Sequence, residues 1–201
     1  MTTRIFLVRH GRTALNAQGR FRGRRDIPLD EQGLADAAEA ARRLARVRLA
    51  AVYTSPLLRT RQTAEAVAGP SGAPVVVEPD LIDLEHGRWE GLTPEEAAAL
   101  DADAFERFRA DPRAAEAPGG ERLAEVERRV LAVLGRIGAR HPGEACAAVS
   151  HEIPIRLAIA HLADVRGPAV WDLPVGTGSV TELRFEAGAL TLAGADPGGG
   201  A

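Results

Sequence analysis

Residues 4–13 read Arg-Ile-Phe-Leu-Val-Arg-His-Gly-Arg-Thr, and this stretch decides the fold class. Its apolar part is short and contains β-branched residues, so it predicts a buried strand from Arg4 to Val8. Arg9, His10 and Gly11 follow at once. A polar loop is therefore predicted at the carboxyl end of the first strand.

Further short apolar runs predict strands in residues 50–53, 75–77 and 146–149, and a closing hairpin in residues 179–185 and 190–192. Helical patterns separate the first four strands. This alternation predicts an α/β fold in which helices cover both faces of a mostly parallel sheet, that is, a three-layer α/β/α sandwich.

The helices around the first strands are predicted from the spacing of apolar residues and from residues that favour helix N- and C-termini. Ser55 and Pro56 have the chemistry of a helix start, and Gly69 has that of a helix end. An earlier helix is predicted after Asp30, because apolar residues recur there at helical spacing. Its predicted buried stripe comprises Leu34, Ala37, Ala38, Ala41, Leu44 and Ala45.

The second half of the chain contains two more strong helical patterns. One apolar stripe begins at Leu123 and is predicted to end at Gly138, and Pro154 is predicted to open a buried helix over residues 155–162. Residues 80–122 are less regular, with short helices near residues 94–100 and 104–109. They are predicted to form an insertion above the sheet.

Length and composition bound the class of protein. With 201 residues, 45% of them apolar and 26% charged, we expect one globular domain in residues 1–195 and a disordered tail in residues 196–201. A net charge of -3 does not favour nucleic-acid binding, and no apolar run reaches the roughly 18 residues of a membrane helix, so a cytoplasmic protein is expected. Cys146 is the only cysteine, and the 25 basic residues are all arginine, which excludes an internal disulfide and Schiff-base chemistry.

Polar residues follow four of the predicted strands. Because ligands of open α/β sheets bind outside the carboxyl ends of the strands, we expect these side chains to converge. Guanidinium groups bind oxyanions, imidazole is a nucleophile toward phosphorus, and a carboxylic acid can protonate a leaving alkoxide, so the set is complete without a metal. The residues are Arg9, His10, Gly11, Ser55, Arg59, Asp83, Glu85, Ser150, His151 and Glu152.

These residues belong to sequence blocks that resemble the histidine phosphatase, or phosphoglycerate mutase-like, superfamily, whose signature is an Arg-His-Gly loop after the first strand. The blocks stand in the family's order and cover nearly the whole chain. They are residues 7–13 with Asn16, 19–23 with 26–29, 54–56 with Arg59 and Thr60, 87–91, 118–121, and 149–151. The resemblance implies a phosphoglycerate mutase-like fold and places the chain in the phosphatase branch.

The resemblance also implies residue roles. His10 would be the nucleophile that becomes phosphohistidine, Arg9 and Arg59 would hold the phosphoryl oxygens, and His151 would add a further contact. Asp83 stands at the acid position. Asn16, Arg22 and Gly23 would bind phosphate or substrate at the rim.

Two of these positions depart from the family pattern. The family usually has a glutamate where this chain has Asp83, whose side chain is one methylene shorter, and Glu85 is the reserve candidate for the acid. Arg22 replaces a glutamine common in the family's phosphatases, which favours a more negative substrate.

The leading interpretation is hydrolysis of a small phosphorylated metabolite without metal or cofactor. The alternatives are phosphoglycerate mutase-type phosphotransfer and a binding module that has lost turnover. Mutases of the family are longer in the segment above the pocket and carry paired basic residues there, whereas residues 92–122 are short, acidic and alanine-rich, so the resemblance favours hydrolysis. No nucleic-acid or membrane partner is expected, and the oligomeric state stays open, with a dimer among the options.

Other candidates have structural interpretations. A metal site built from His10, Asp83 and His151 is disfavoured because adjacent arginines repel cations. The arginines of residues 20–25 are interpreted as a rim for an anionic substrate, with a solvated loop as the alternative. Trp89 is interpreted either as a packing anchor for its loop or as a substrate contact. The residues interpreted as structural are His86, His141, His161 as a core residue, and Cys146 as core filler.

Overall fold

The computed structural model describes residues 1–196, with the side chains of the last two left out. Six strands form one sheet in the order β3-β2-β4-β1-β5-β6. The strands are β1 Thr3–Arg9, β2 Leu49–Thr54, β3 Val75–Val77, β4 Ala145–Ser150, β5 Val180–Glu186 and β6 Ala189–Asp196.

The first four strands are parallel, and β5 and β6 add antiparallel partners at one side. β1 pairs with β4, β4 with β2, and β2 with β3, all in parallel, whereas β5 runs antiparallel to both β1 and β6. The predicted mostly parallel sheet is therefore confirmed.

Helices cover both faces of this sheet. They are α1 Ala14–Ala17, α2 Glu31–Leu44, α3 Leu58–Ala68, α4 Pro94–Leu100, α5 Ala102–Ala110, α6 Leu123–Arg140 and α7 Glu152–Leu162. Ile5 and Leu7 of β1 pack with buried residues of α6 and α7, while Phe6 and Val8 pack with those of α2 and α3. Alternate side chains of one strand thus build two cores, as the pleat of a strand requires. The three-layer arrangement is confirmed.

The helix after Asp30 forms, but its buried face differs from the prediction. Leu34 is 54% exposed, and Gly33 is buried instead. A Cβ at Gly33 would overlap the carbonyl oxygen of Arg12, so the helix packs there against the backbone that follows His10. This contact turns Leu34 toward solvent. The buried residues are Gly33, Ala37, Ala40, Ala41 and Leu44.

Helix α3 does not begin at Ser55. Its N-cap is Leu57, and the Leu58 amide donates to Asp26 Oδ1 at 2.5 Å. The hydroxyl of Ser55 is engaged by a histidine, as described below, and so does not act as a strong cap.

Two other helix boundaries also differ. Helix α6 continues through Gly138, where the ring of Phe185 occupies the position of a side chain, so this glycine permits close packing rather than ending the helix. Helix α7 begins at Glu152, and Pro154 lies within its first turn. Pro154 is tolerated there because an amide in that turn has no intrahelical partner.

A third cluster of buried residues joins the segment after β3 to α6 and α7. Trp89 is fully buried at its centre and contacts Phe21, Phe105 and Phe108, with ring centroids 6.1, 5.7 and 5.3 Å away. Of its two predicted roles, this burial agrees with the packing anchor. Residues 94–100 form the predicted short helix, and the next helix begins at Ala102 rather than at Ala104. That residues 80–122 are an insertion stays a prediction.

Two further findings concern membrane-spanning helices and the C-terminal tail. No helix within residues 1–196 is both long and apolar enough to cross a membrane. Of the tail predicted from residue 196, Asp196 ends β6, and the other residues lie outside the described part. The domain boundary at residue 195 stays a prediction.

Candidate active site

The carboxyl ends of β1 and β4 are neighbours in the sheet and carry the two histidines of the site. His10 follows β1 and His151 follows β4, and both side chains are fully buried. Their ring centroids lie 5.1 Å apart. The parallel pairing of these strands thus brings together two residues that are 141 positions apart in the sequence.

The ring of His10 is fixed by a hydrogen bond to the backbone. Nδ1 lies 2.7 Å from the carbonyl oxygen of Gly11, which can only accept, so Nδ1 carries the proton. Nε2 therefore keeps its lone pair. It lies 3.3 Å from Nε of Arg59, which donates to it. His10 thus presents a nucleophilic nitrogen to a guanidinium group.

Arg59 links His10, the candidate nucleophile, to the candidate acid. It lies in the first turns of α3 and is fully buried. Its Nη2 lies 3.2 Å from Asp83 Oδ2 and donates to the carbonyl oxygen of Gly23 at 2.9 Å, while Nη1 donates to that of Arg25 at 2.7 Å. The guanidinium plane is therefore held between His10 and Asp83.

Asp83 and His151 complete the inner part of the site. Oδ1 of Asp83 accepts from the amide of Leu84 at 2.9 Å, and Oδ2 lies 3.8 Å from Nδ1 of His151. Nε2 of His151 lies 2.8 Å from the hydroxyl of Ser55. If that hydroxyl donates, the proton of His151 is on Nδ1. Nδ1 has no hydrogen-bond partner among the described residues, which leaves it free to donate to an oxyanion.

Three guanidinium groups converge on Glu152 at the mouth of the site. Its Oε2 lies 2.8 Å from Arg9 and 3.1 Å from Arg22, and its Oε1 lies 3.0 Å from Arg156. Arg9 also donates to the carbonyl oxygen of Val175. This carboxylate neutralises part of the positive charge and holds Arg9 and Arg22 beside the histidines.

The predicted rim residues have different surroundings. Asn16 accepts hydrogen bonds from the backbone and hydroxyl of Thr13 and so completes the capping box of helix α1, whose N-cap is Thr13, and it also lines a cavity with Arg9 and Arg22. Gly23 contributes its carbonyl oxygen to Arg59, as described above.

The other arginines of residues 20–25 largely bind the protein itself. Arg20 pairs with Glu96, and Arg24 pairs with Glu85 at 2.8 Å and with Glu121. Glu85 is half-exposed and turned toward Arg24. The structure therefore brings Asp83, and not Glu85, beside Arg59 and His151.

Burial and positive charge keep the histidines of the site neutral. Burial, together with Arg59 and Arg9, lowers the pKa of His10 well below its ordinary value, and burial and Arg59 do the same to the pKa of His151. Burial lowers the pKa of Arg9 to about 10, so this guanidinium is still charged at neutral pH. A neutral imidazole surrounded by guanidinium groups is suited to attack a phosphate dianion.

The position of Arg59 opposes a metal ion in this site. The Arg59 guanidinium lies between His10 and Asp83, where a cation bound by both would have to sit. Within residues 1–196, no group of three or more His, Cys, Asp or Glu side chains is arranged to hold a metal ion.

The remaining histidines differ in their burial and in the residues they contact. His141 is bound to Tyr53 and Glu144, and His86 is buried with its ring 4.8 Å from that of Phe21. His161, expected in the core, is 49% exposed and pairs with Glu127. It lies at the C-terminal end of α7, where the helix face turns to solvent.

Sequence reasoning missed one supporting residue of the site. Arg129 of α6 donates to the carbonyl oxygens of Asp80, Ile82 and Asp83 at 2.7, 2.6 and 3.2 Å, and it pairs with Glu121. It fixes the loop that carries the candidate acid. Arg128 and Arg129 are adjacent arginines, and no feature of the sequence distinguishes the supporting residue from its neighbour.

Comparison with known proteins adds an independent finding. A family model described as "Histidine phosphatase superfamily (branch 1)" matches residues 5–195. "Phosphoserine phosphatase 1" of Hydrogenobacter thermophilus is 33% identical over 183 residues, which cover 91% of this chain and 87% of that protein. A "Metal-independent phosphoserine phosphatase" of Arabidopsis thaliana is 38% identical over 152 residues, or 74% of this chain and 64% of that protein.

A solved structure has a similar fold. YhfR of Bacillus stearothermophilus superposes with a TM-score of 0.88 at 34% identity, covering 95% of each chain. Some relatives are longer, since the chain spans only 51% of a mycobacterial bifunctional protein to which it is 37% identical.

Proposed function

The chain belongs to the histidine phosphatase superfamily and is a phosphomonoesterase, and from that premise we propose that it hydrolyses a small phosphorylated metabolite through a phosphohistidine at His10. The reaction needs neither a metal ion nor a cofactor. One observation carries the proposal: the hydrogen bond from Nδ1 of His10 to the Gly11 carbonyl directs the lone pair of Nε2 toward Arg59.

In the first step, Nε2 of His10 attacks phosphorus. The N–P bond forms and the ester P–O bond breaks, with Arg9 and Arg59 holding the phosphoryl oxygens and Nδ1 of His151 donating to one of them. Asp83 in its acid form gives its proton to the leaving alkoxide. The products are an alcohol and phosphohistidine.

In the second step, a water molecule replaces the alcohol. The Asp83 carboxylate takes a proton from that water as its oxygen bonds to phosphorus, and the N–P bond breaks. Inorganic phosphate leaves, and His10 and Asp83 regain their starting protonation states. The Asp83 side chain thus serves as acid and then as base.

The relatives support a small phosphorylated substrate. Two of them carry the name phosphoserine phosphatase, and another is named adenosylcobalamin/alpha-ribazole phosphatase. These names describe different leaving groups. They share the phosphomonoester, which is the part of the substrate that His10, Arg9 and Arg59 would bind.

The experiment measures phosphate release from 4-nitrophenyl phosphate and a panel of metabolite phosphates in EDTA. We expect His10→Ala to lose at least about a thousandfold in kcat, since it removes the nucleophile. The exposed histidine variant His161→Ala, matched in chemistry, should keep wild-type activity. Rapid quenching with radiolabelled substrate should trap a base-stable, acid-labile phosphoprotein in the wild type only.

Retained activity in His10→Ala, or loss of activity in EDTA, would refute the proposal. Transfer of the label to an added sugar acid rather than to water would indicate a mutase. Binding of phosphate without any turnover would indicate the binding module.

A further inference from the structure

A second cavity lies beside the candidate phosphate site and has an apolar, aromatic wall. Its volume is about 450 Å³, and its walls include Phe21, Phe105, Phe108, Trp171 and Ile153. We propose that this cavity binds the leaving group of the substrate and that the preferred substrate is a phosphomonoester of an apolar, ring-bearing alcohol. The inference rests on the proposed function and adds the class of its substrate.

The cavity adjoins a second cavity at the mouth of the phosphate site. It shares Phe21, Glu152 and Ile153 with a cavity of about 310 Å³ whose walls also include Arg9 and Arg22. In this proposal, an ester with its phosphoryl group at His10 extends its alcohol part past Glu152, which borders both cavities, toward the aromatic wall.

The aromatic wall is fixed by ring-to-ring contacts. Phe108 stacks on Trp171 with ring centroids 4.9 Å apart, and Phe105 lies edge-on to the buried Trp89. Nε1 of Trp171 donates to the carbonyl oxygen of Arg109 at 3.0 Å. Phe21, Phe105 and Trp171 remain half-exposed at the cavity. Such a preformed apolar surface, in a cavity within the range of about 300–1,000 Å³ typical of ligand sites, favours a bulky apolar group.

The charges at the boundary of the cavity disfavour a charged leaving group. Glu152 is neutralised by Arg9, Arg22 and Arg156, and the Arg156 guanidinium lies 5.8 Å from the ring of Trp171. Glu95 and Arg109 also line the cavity, but both are exposed, so among the described residues the walls offer an ammonium group no buried unpaired carboxylate. A small leaving group with two charges would also leave the aromatic faces in contact with water.

The test compares two esters whose alkoxide leaving groups are similar in basicity, ethyl phosphate and 2-phenylethyl phosphate. We expect kcat/KM to be at least about tenfold higher for the phenylethyl ester, because its ring is removed from water. Ala98 lines the cavity from helix α4, whereas its neighbour Ala99 is exposed and outside it. Ala98→Trp should reduce the preference below about threefold, and the matched control Ala99→Trp should keep it.

A binding measurement separates this inference from the proposed function. Calorimetry with ethylphosphonate and 2-phenylethylphosphonate, which cannot be hydrolysed, should show the same order of affinity. Hydrolysis of both esters with no preference would overturn the cavity proposal and leave the hydrolase intact. Tighter phenylethylphosphonate binding without turnover of any ester would support the cavity and refute the hydrolase. Equal preference in Ala98→Trp and the wild type would show that the ring binds elsewhere, which also overturns the inference.

Discussion

The carboxylates of Asp83 and Glu85 stand two residues apart in one loop but have different surroundings. Asp83 is buried beside Arg59 and His151, whereas Glu85 pairs with Arg24 at a half-exposed position. The two side chains therefore do not share one face of the loop, and Leu84 between them is buried. Of the two carboxylates, only that of Asp83 lies beside Arg59 and His151, where the proposed mechanism needs an acid.

Asp83→Asn should therefore slow the hydrolysis of alkyl phosphates more than that of aryl phosphates. An alkoxide is a poor leaving group and depends on the acid, so we expect a loss of about a hundredfold or more in kcat, against less than about tenfold for 4-nitrophenyl phosphate. The matched control Glu85→Gln should stay within about twofold of wild type on both. Equal losses on both substrates would instead show that Asp83 acts by positioning Arg59.

The residues of the site could be predicted where they directly follow strands. His10 and His151 can be predicted because each directly follows an apolar run, whereas Asp83 lies six residues after β3 and its assignment as the acid depends on the family resemblance. Glu152 was placed near the site because it too follows an apolar run, but its contacts with three arginines depend on side-chain directions. Arg129 could not be found, since its hydrogen bonds reach a loop 46 to 49 residues away.

At the scale of elements, helix α6 supports the loop that follows β3. Arg129 is the link, because its guanidinium donates to three carbonyl oxygens of residues 80–83. The side chain is largely buried. A helix on one face of the sheet thereby positions the candidate acid at the sheet's edge.

Arg129→Met should lower the free energy of unfolding by about 2–4 kcal/mol, because buried carbonyl groups and Glu121 lose their partner. It should also reduce kcat for alkyl phosphates more than for 4-nitrophenyl phosphate, since Asp83 loses its support. The control is Arg128→Met, which changes an exposed neighbour. Urea denaturation and steady-state kinetics measure the two effects. A stability loss with unchanged selectivity would limit Arg129 to a structural role.

The presence of the strands and helices was predicted better than the side of each helix that is buried. Every predicted strand forms, because short apolar runs between polar segments leave few alternatives. The buried face of α2 was predicted incorrectly because alanines occur on several sides of this helix and so indicate poorly which side faces the sheet. Gly33, which a hydrophobicity pattern ignores, decides that face through its contact with Arg12.

For the whole molecule, three buried histidines couple stability to pH. Burial is the main cause of the lowered pKa of His10, His151 and His86, and the pKa of His86 falls to about 4. These groups stay neutral in the folded chain, while in the unfolded chain they bind protons near pH 6.5. The unfolded state therefore binds more protons below that pH, and acid favours unfolding.

The free energy of unfolding should change little between pH 8 and 7 on account of these histidines and should fall as the pH drops below about 6.5. Each buried histidine that stays neutral adds up to about 1.4 kcal/mol per pH unit to this fall. Urea denaturation at pH 8, 7, 6 and 5 measures the slope. His86→Gln should reduce the slope by about 1 kcal/mol per pH unit near pH 5, because the pKa of His86, lowered by burial to about 4, keeps it neutral in the folded chain there. An equal slope in the variant would show that His86 gains a proton in the folded state, and no steepening below pH 6.5 in the wild type would contradict the neutral nucleophile proposed for His10.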